Sequence, residues 1–140
     1  MLHPRLARIL TVGLGLSLGA AHTARAQSYQ VTTYPLHFET GKSTLDTGDQ
    51  ETVRAVASVM KNNPNLVATI IGKADTQGSA ELNEKLSQRR SEAVFEALAH
   101  ENNVPESRVE IRWTGEKLPF VSTADEEAER MNRLVEIVVR

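Results

Sequence analysis

Cysteine is absent from all 140 residues. That one absence removes disulfides, thiolate metal ligands, thiol nucleophiles and redox pairs. It also removes the residue on which a bacterial lipoprotein carries its lipid, so a released protein is expected rather than a lipid-anchored one. Long apolar runs are missing as well. The stretch 9–20 (ILTVGLGLSLGA) is about half of the roughly 20 residues that cross a bilayer. No segment alternates over enough length to build a membrane barrel. Nor is there an excess of positive charge: 16 basic side chains stand against 18 acidic ones.

The apolar stretch has a different reading. His3, Arg5 and Arg8 give it a basic start, and Ala24-Arg25-Ala26 follows as a small-x-small cleavage site. Residues 1–26 therefore read as a signal peptide with Gln27 as the mature N-terminus, an uncleaved anchor being the alternative. Cleavage removes Arg5, Arg8 and Arg25 but no acid, leaving 13 basic and 18 acidic side chains and a formal charge of −5. An acidic chain argues against nucleic acid as a partner. It argues equally against electrostatic attachment to anionic lipid. The expected address is the periplasm, with no direct membrane span after cleavage. The remaining length suits one domain, residues 34–140, behind a short lead-in over 27–33.

Within that domain the periodicities predict β-α-β-α-β-β. Tyr34–Phe38 reads as a strand in which Pro35 limits pairing. A turn then feeds a helix capped at Asp46 or Thr47, with Val53, Val56, Ala57 and Met60 as its apolar face and Asn62-Asn63-Pro64-Asn65 as its stop. Leu66–Gly72 is nearly continuous β-branched sequence and predicts a buried central strand. A long helix runs from Ser79 or Ala80 to Asn102. Arg108–Trp113 alternates as a third strand. A loop over 114–123 and a short acidic turn over 124–132 lead to a last strand, Leu134–Val139. The fold class is α+β, a two-layer sandwich with a mixed sheet and both helices on one face.

One segment carries an anomaly. In GKADTQGSAELNEKLSQRRSEAV, residues 72–94, Asp75 precedes Arg90 by fifteen residues. Leu82, Leu86, Ala93, Val94 and Ala97 recur at helical spacing and predict the core-facing stripe. Arg90 falls inside that stripe. A guanidinium there needs a carboxylate or several acceptors. Asp75, in the loop feeding the helix, is the candidate partner. An Asp and an Arg in one cleft could grip a ligand bearing both an ammonium and a carboxylate. They could equally form a structural ion pair, and Asp75 could simply order its turn.

No catalytic set competes strongly. Asp75 with Glu81 or Glu39 is the one carboxylate pairing worth naming for glycan hydrolysis. His37 and His100, the histidines that remain after cleavage, have no motif partner, and no phosphate loop or zinc spacing occurs. Asp125-Glu126-Glu127-Glu129 reads as an exposed helical face rather than a metal site. Trp113, the single tryptophan, reads as strand-end packing, and Arg89 as a solvated residue at the stripe's edge. Arg133 could pair with Glu110 or Glu136 across the sheet. No cofactor, no metal and no catalytic residue are expected.

Four pieces in order carry a family resemblance. They are Phe38-Glu39 with Leu45; Gly72-x-x-Asp75-x-x-Gly78 followed by Leu82-Asn83-x-x-Leu86-Ser87-x-x-Arg90-Ser91-x-x-Val94; Gly115-Glu116 with Pro119; and Arg130-Met131-Asn132-Arg133-Leu134-Val135-Glu136-Ile137. Together they resemble the OmpA-like C-terminal domain over residues 36–139. The resemblance implies noncovalent peptidoglycan binding through the diaminopimelate of the stem peptide. On that reading Asp75 meets the ligand's ammonium and Arg90 its carboxylate, Asn83 and Arg133 line the pocket, and the Thr40-Gly41 turn touches the ligand. With no barrel, lipid or membrane helix expected, the domain is expected to link the wall to an envelope component through a second envelope protein. The chain departs from the family's usual pattern at several points. Lys73-Ala74 replaces the residues before the Asp, commonly His-Thr, and Leu82 stands for an aromatic. Glu39 stands for Asp, Gly41 offers no side chain, and Arg133-Leu134 replaces paired arginines. The alternatives are an interaction module of an envelope complex and, further off, a wall-glycan hydrolase.

Overall fold

The computed structural model describes residues 30–76, 78–115 and 132–140. The signal-peptide expectation, the first residues of the lead-in and the acidic turn with Asp125 and its neighbours lie outside them. Among the described residues the order is β1 (Thr32–His37), α1 (Thr47–Asn62), β2 (Ala68–Lys73), α2 (Ala80–Phe95), β3 (Val109–Gly115) and β4 (Leu134–Val139). The predicted order of these elements holds. Strand β1 begins inside the expected lead-in, and β3 runs through Thr114 and Gly115, where a loop is expected from the sequence.

The strands form one sheet in the order β1-β4-β2-β3. Strand β4 is antiparallel to both β1 and β2, while β2 and β3 are parallel. Parallel neighbours need a crossover, and α2 supplies it. Ile70 pairs with Ile137 on one side and with Ile111 on the other, so β2 is central; Ala68, Thr69 and Ile70 are buried, while Ile71 is partly exposed. The β2–β3 register slips between Gly72 and Lys73, where Lys73 pairs with Gly115.

Both helices start on side-chain caps. The Asp46 carboxylate accepts from the Asp49 N–H at 2.8 Å, and the Ser79 hydroxyl accepts from the Leu82 N–H at 3.2 Å. Helix α1 buries Val53, Val56, Ala57 and Met60, as its periodicity predicts. These pack with Leu36, Phe38, Ala68, Ile70, Val135, Ile137 and Val139 from the sheet side and with Val94, Ala97 and Leu98 from the second helical segment. After Phe95 that segment widens to π-helical winding over Glu96–Glu101. Asn102 ends it by donating from both its backbone N–H and its side-chain amide to the Ala97 carbonyl.

The stripe predicted for α2 needs correction. Leu82 is 62% exposed. Leu86 and Ala93 are only partly buried, and Val94 and Ala97 alone reach the core. The buried positions of α2 are Asn83, Ser87, Arg90, Ser91 and Val94, the same period turned by one residue. The cause lies in the sheet. A methyl group on Gly72 would sit 2.1 Å from Ser91 Oγ and 2.3 Å from the Ser87 carbonyl oxygen. Helix and strand are in backbone contact there, and no leucine fits between them. Hydroxyls fill the seam instead. Ser87 Oγ donates to the Glu84 carbonyl at 2.8 Å and accepts from the Gly115 N–H at 3.0 Å. Ser91 Oγ lies 3.0 Å from the carbonyls of both Ser87 and Arg112.

Candidate functional site

Polar burial on α2 faces a gap at the β2–α2 junction. A cleft of about 290 Å³ opens there. Thr40 and Gly41 from the turn after β1 form one side, Asp75 and Gly78 from the β2–α2 loop another. Leu82, Asn83, Leu86 and Arg89 contribute from α2, and Arg133 from the residue just before β4. Leu82, Leu86 and Arg89 follow one another at helical spacing, a stripe beside the buried one. They are wet on one side because the cleft, not the sheet, lies against them.

The ion pair at the centre is Asp75 with Arg133, at 2.9 Å between Oδ2 and Nη1. Both side chains are largely buried, with 7% and 11% exposure. Arg133 is pinned from behind. Its Nε donates to the Phe38 carbonyl at 3.3 Å, while its own carbonyl accepts from the Phe38 N–H at 2.8 Å. The end of β1 thus fixes where this guanidinium can sit. Glu110 and Glu136, suggested as partners by cross-strand spacing, are engaged elsewhere. Glu110 accepts from Arg112, and Glu136 pairs with Lys73 at 2.8 Å.

Arg90 sits behind the cleft rather than on its wall. It is fully buried. Its Nε donates to the Lys42 carbonyl at 2.8 Å, Nη2 to the Glu39 carbonyl at 3.1 Å and Nη1 to the Lys73 carbonyl at 3.5 Å. Its guanidinium carbon lies 5.3 Å from the centre of the Phe38 ring, within cation–π range. The Glu39 carbonyl also closes the turn by accepting from the Lys42 N–H at 3.0 Å, and Gly41 takes the left-handed conformation that turn needs, φ +68°. Arg90 therefore ties the Thr40-Gly41 wall to the end of β2. Burial lowers its pKa to about 10; the Asp75 charge opposes that shift and the Arg133 charge adds to it. It stays cationic at neutral pH.

The structure brings Asp75, Asn83, Arg133 and the Thr40-Gly41 turn to one cleft. It places Arg90 one layer below. Lys73 and Ala74, which replace the usual residues before the Asp, are both occupied: Lys73 in its pair with Glu136, and Ala74 buried, its N–H donating to the Gly115 carbonyl at 2.9 Å. Of the acids named as partners of Asp75 for hydrolysis, Glu81 accepts from Lys85 at 2.8 Å and Glu39 is exposed. His100 is held between Glu96 and Glu106 at 2.6 and 2.8 Å. Sequence reasoning missed Leu82, Leu86 and Arg89 as cleft residues. Their signal is the i, i+4, i+7 spacing, in which Leu82 and Leu86 read as core and Arg89 as a solvated residue at the stripe's edge.

Residues 37–133 match the model of the OmpA family. The probable lipoprotein YiaD of Escherichia coli K12 is 33% identical over 102 residues, covering 73% of this chain and 46% of that protein. The peptidoglycan-associated lipoprotein of Brucella melitensis biotype 1 is 32% identical over 114 residues, covering 80% of this chain and 67% of that protein. The crystal structure of the peptidoglycan-associated lipoprotein from Burkholderia pseudomallei aligns with a TM-score of 0.70 at 26% identity, covering 76% of this chain and 89% of that one. The chain thus spans less than half the length of YiaD.

Proposed function

This chain belongs to the OmpA family, and from that premise we propose that it binds peptidoglycan noncovalently in the periplasm. It thereby ties a second envelope protein to the wall. The observation that carries this reading is the Asp75–Arg133 pair standing in an open cleft. A zwitterionic side chain fits that pair because it can exchange one internal ion pair for two across the interface. The ligand is the diaminopimelate of the stem peptide, whose side chain ends in an ammonium and a carboxylate on one carbon. Asp75 takes the ammonium. Arg133 takes the carboxylate, and the Asn83 amide lies beside it. Leu82 and Leu86 pack against the ligand's methylene chain.

Arg90 acts from the floor. A guanidinium has five N–H donors, and three are spent on the carbonyls of Glu39, Lys42 and Lys73. A carboxylate reaching the floor would meet the remaining donors and a charge that burial leaves unscreened. The names of the similar proteins, two of them peptidoglycan-associated lipoproteins, support the wall as target. Nothing in this mechanism makes or breaks a bond.

The test is co-sedimentation with diaminopimelate-type peptidoglycan, beside a wall carrying lysine at that position. The parent protein should pellet with the first and weakly with the second. Asp75→Ala should stay in the supernatant while keeping its circular dichroism spectrum. Pelleting of Asp75→Ala and Arg133→Ala at the parent's level would sink the site. Release of soluble muropeptides would show a hydrolase instead.

A further inference from the structure

The described residues of the cleft carry more positive charge than a simple zwitterion can use. Asp75 is its one acid among the described lining residues, and it is already matched by Arg133. Arg89 is left over. It lies on the same wall, two helical turns from Leu82, and is exposed. Among the described residues it has no hydrogen-bond or ion-pair partner.

Its neighbours on α2 explain why it stays unmatched. Helical spacing puts Lys85 four residues before it, a like charge already paired to Glu81 at 2.8 Å. The acid three residues after it, Glu92, accepts from Gln88 at 2.8 Å. Across the cleft the turn carries Glu39 and Lys42 at either end of Thr40-Gly41, one of each sign, so it adds no net charge. Arg90 adds a further cation beneath. A ligand with equal numbers of ammonium and carboxylate groups would leave this surplus unanswered.

We propose that Arg89 is a specificity-determining residue that reads a second carboxylate at the cleft mouth. The site then selects stem peptides bearing a free acid outside the diaminopimelate terminus over their amidated forms. This rests on the peptidoglycan reading above and narrows its substrate class. Where the main-chain carboxyl of diaminopimelate is amide-bonded, as in longer stems, the nearest acid on its N-terminal side is the α-carboxylate of the γ-linked glutamyl residue. Arginine suits the task because its fork stays charged at any working pH and matches a carboxylate edge-on. The contact is open to solvent, so it tunes selectivity more than affinity.

The probes are two soluble peptides, L-alanyl-γ-D-glutamyl-meso-diaminopimelic acid blocked as the amide at its main-chain carboxyl, and the same blocked peptide amidated also at the glutamyl α-carboxyl. Each is titrated calorimetrically into the purified protein and into Arg89→Gln. The parent should bind the free acid about 1.5- to 5-fold more tightly than the amide, the range of an exposed ion pair. That gap should close in 0.5 M salt. Arg89→Gln should bind both peptides alike, at the parent's affinity for the amide, and Arg89→Lys should restore part of the preference. A parent that binds both peptides equally, or an Arg89→Gln protein that keeps the preference, overturns the role of Arg89 and leaves peptidoglycan binding standing. A parent that binds neither peptide overturns the functional reading and this inference with it.

Discussion

Helix α1 meets the sheet with Val53, Val56, Ala57 and Met60, whereas the first three turns of α2 meet it with Asn83, Ser87, Arg90 and Ser91. Both helices are 16 residues long and both are capped by a side chain. One is held by hydrocarbon, which is tolerant of small shifts and indifferent to direction. The other is held by hydroxyls and a guanidinium, which bind at fixed angles and distances. The difference teaches where the site is. A helix that only has to close a core uses the first kind of packing. A helix that must hold a turn, a strand end and an aspartate in one relation uses the second, and the cleft lies on that helix.

The contrast breaks most forcefully at Arg90. Arg90→Ala removes the donors to three carbonyls and leaves a void beneath the cleft. We expect a loss of about 3–5 kcal/mol in urea unfolding, the cost of dismantling a buried charged network. Wall binding should fail with it, since the Thr40-Gly41 wall loses its tie. Met60→Ala, by comparison, should cost about 2–5 kcal/mol yet leave pelleting intact in the folded fraction. Equal damage to binding by both variants would erase the distinction between the helices.

Next come two glycines of opposite sign. Gly72→Ala would drive a methyl against the Ser87 carbonyl at 2.3 Å, an overpacking worth about 1–3 kcal/mol of destabilisation. In the first turn of α1, a methyl on Gly48 would lie 3.4 Å from the Asp46 carboxylate and would gain helix propensity. Gly48→Ala should stabilise by about 0.5 kcal/mol. Thermal melts of the pair give the comparison directly.

Smaller still is Leu82→Ala, at a site 62% exposed. Its stability should change by less than about 0.5 kcal/mol, while wall binding weakens. The smallest effect concerns His100 at the far end of the second helical segment. Hydrogen bonds to Glu106 and then Glu96 raise its pKa above the ordinary 6.5. A folded-state pKa above the unfolded one adds stability that is fully present below about pH 6.5 and is lost as pH rises through the raised value. His100→Gln should flatten that part of the melting-temperature profile between pH 5 and 9.

Much of the fold was legible in the sequence because hydrocarbon patterning reports burial. Val53, Val56, Ala57 and Met60 repeat at helical spacing, and the β-branched Thr69, Ile70 and Ile71 lie on a strand with a neighbour on each side. Strand β4 falls on Leu134–Val139, as its pattern predicts. The α2 face was not legible, because Gly72 decides it from another element. Only when Ser87 and Ser91 are seen against that glycine does the helix's orientation follow, and with it the exposure of Leu82 and Arg89. Asp75, Asn83 and Arg133 were reachable through the family pattern, and the structure gathers them. The sequence points to Arg90 as the carboxylate end of a ligand socket; the structure buries it behind the cleft wall with three donors on backbone carbonyls, and its contact with a ligand belongs to the proposal.

The most direct measurement is amide NMR of the purified protein titrated with the diaminopimelate tripeptide. The structure offers a second cleft of about 230 Å³ at the opposite end of β2, lined by Val67–Thr69, Ser107–Glu110 and Arg140. The account predicts that shifts concentrate at Thr40, Gly41, Asp75, Leu82 and Asn83 and spare that second cleft. Shifts confined to Val67–Thr69 and Ser107–Glu110, with Asp75 and Asn83 unmoved, would contradict it.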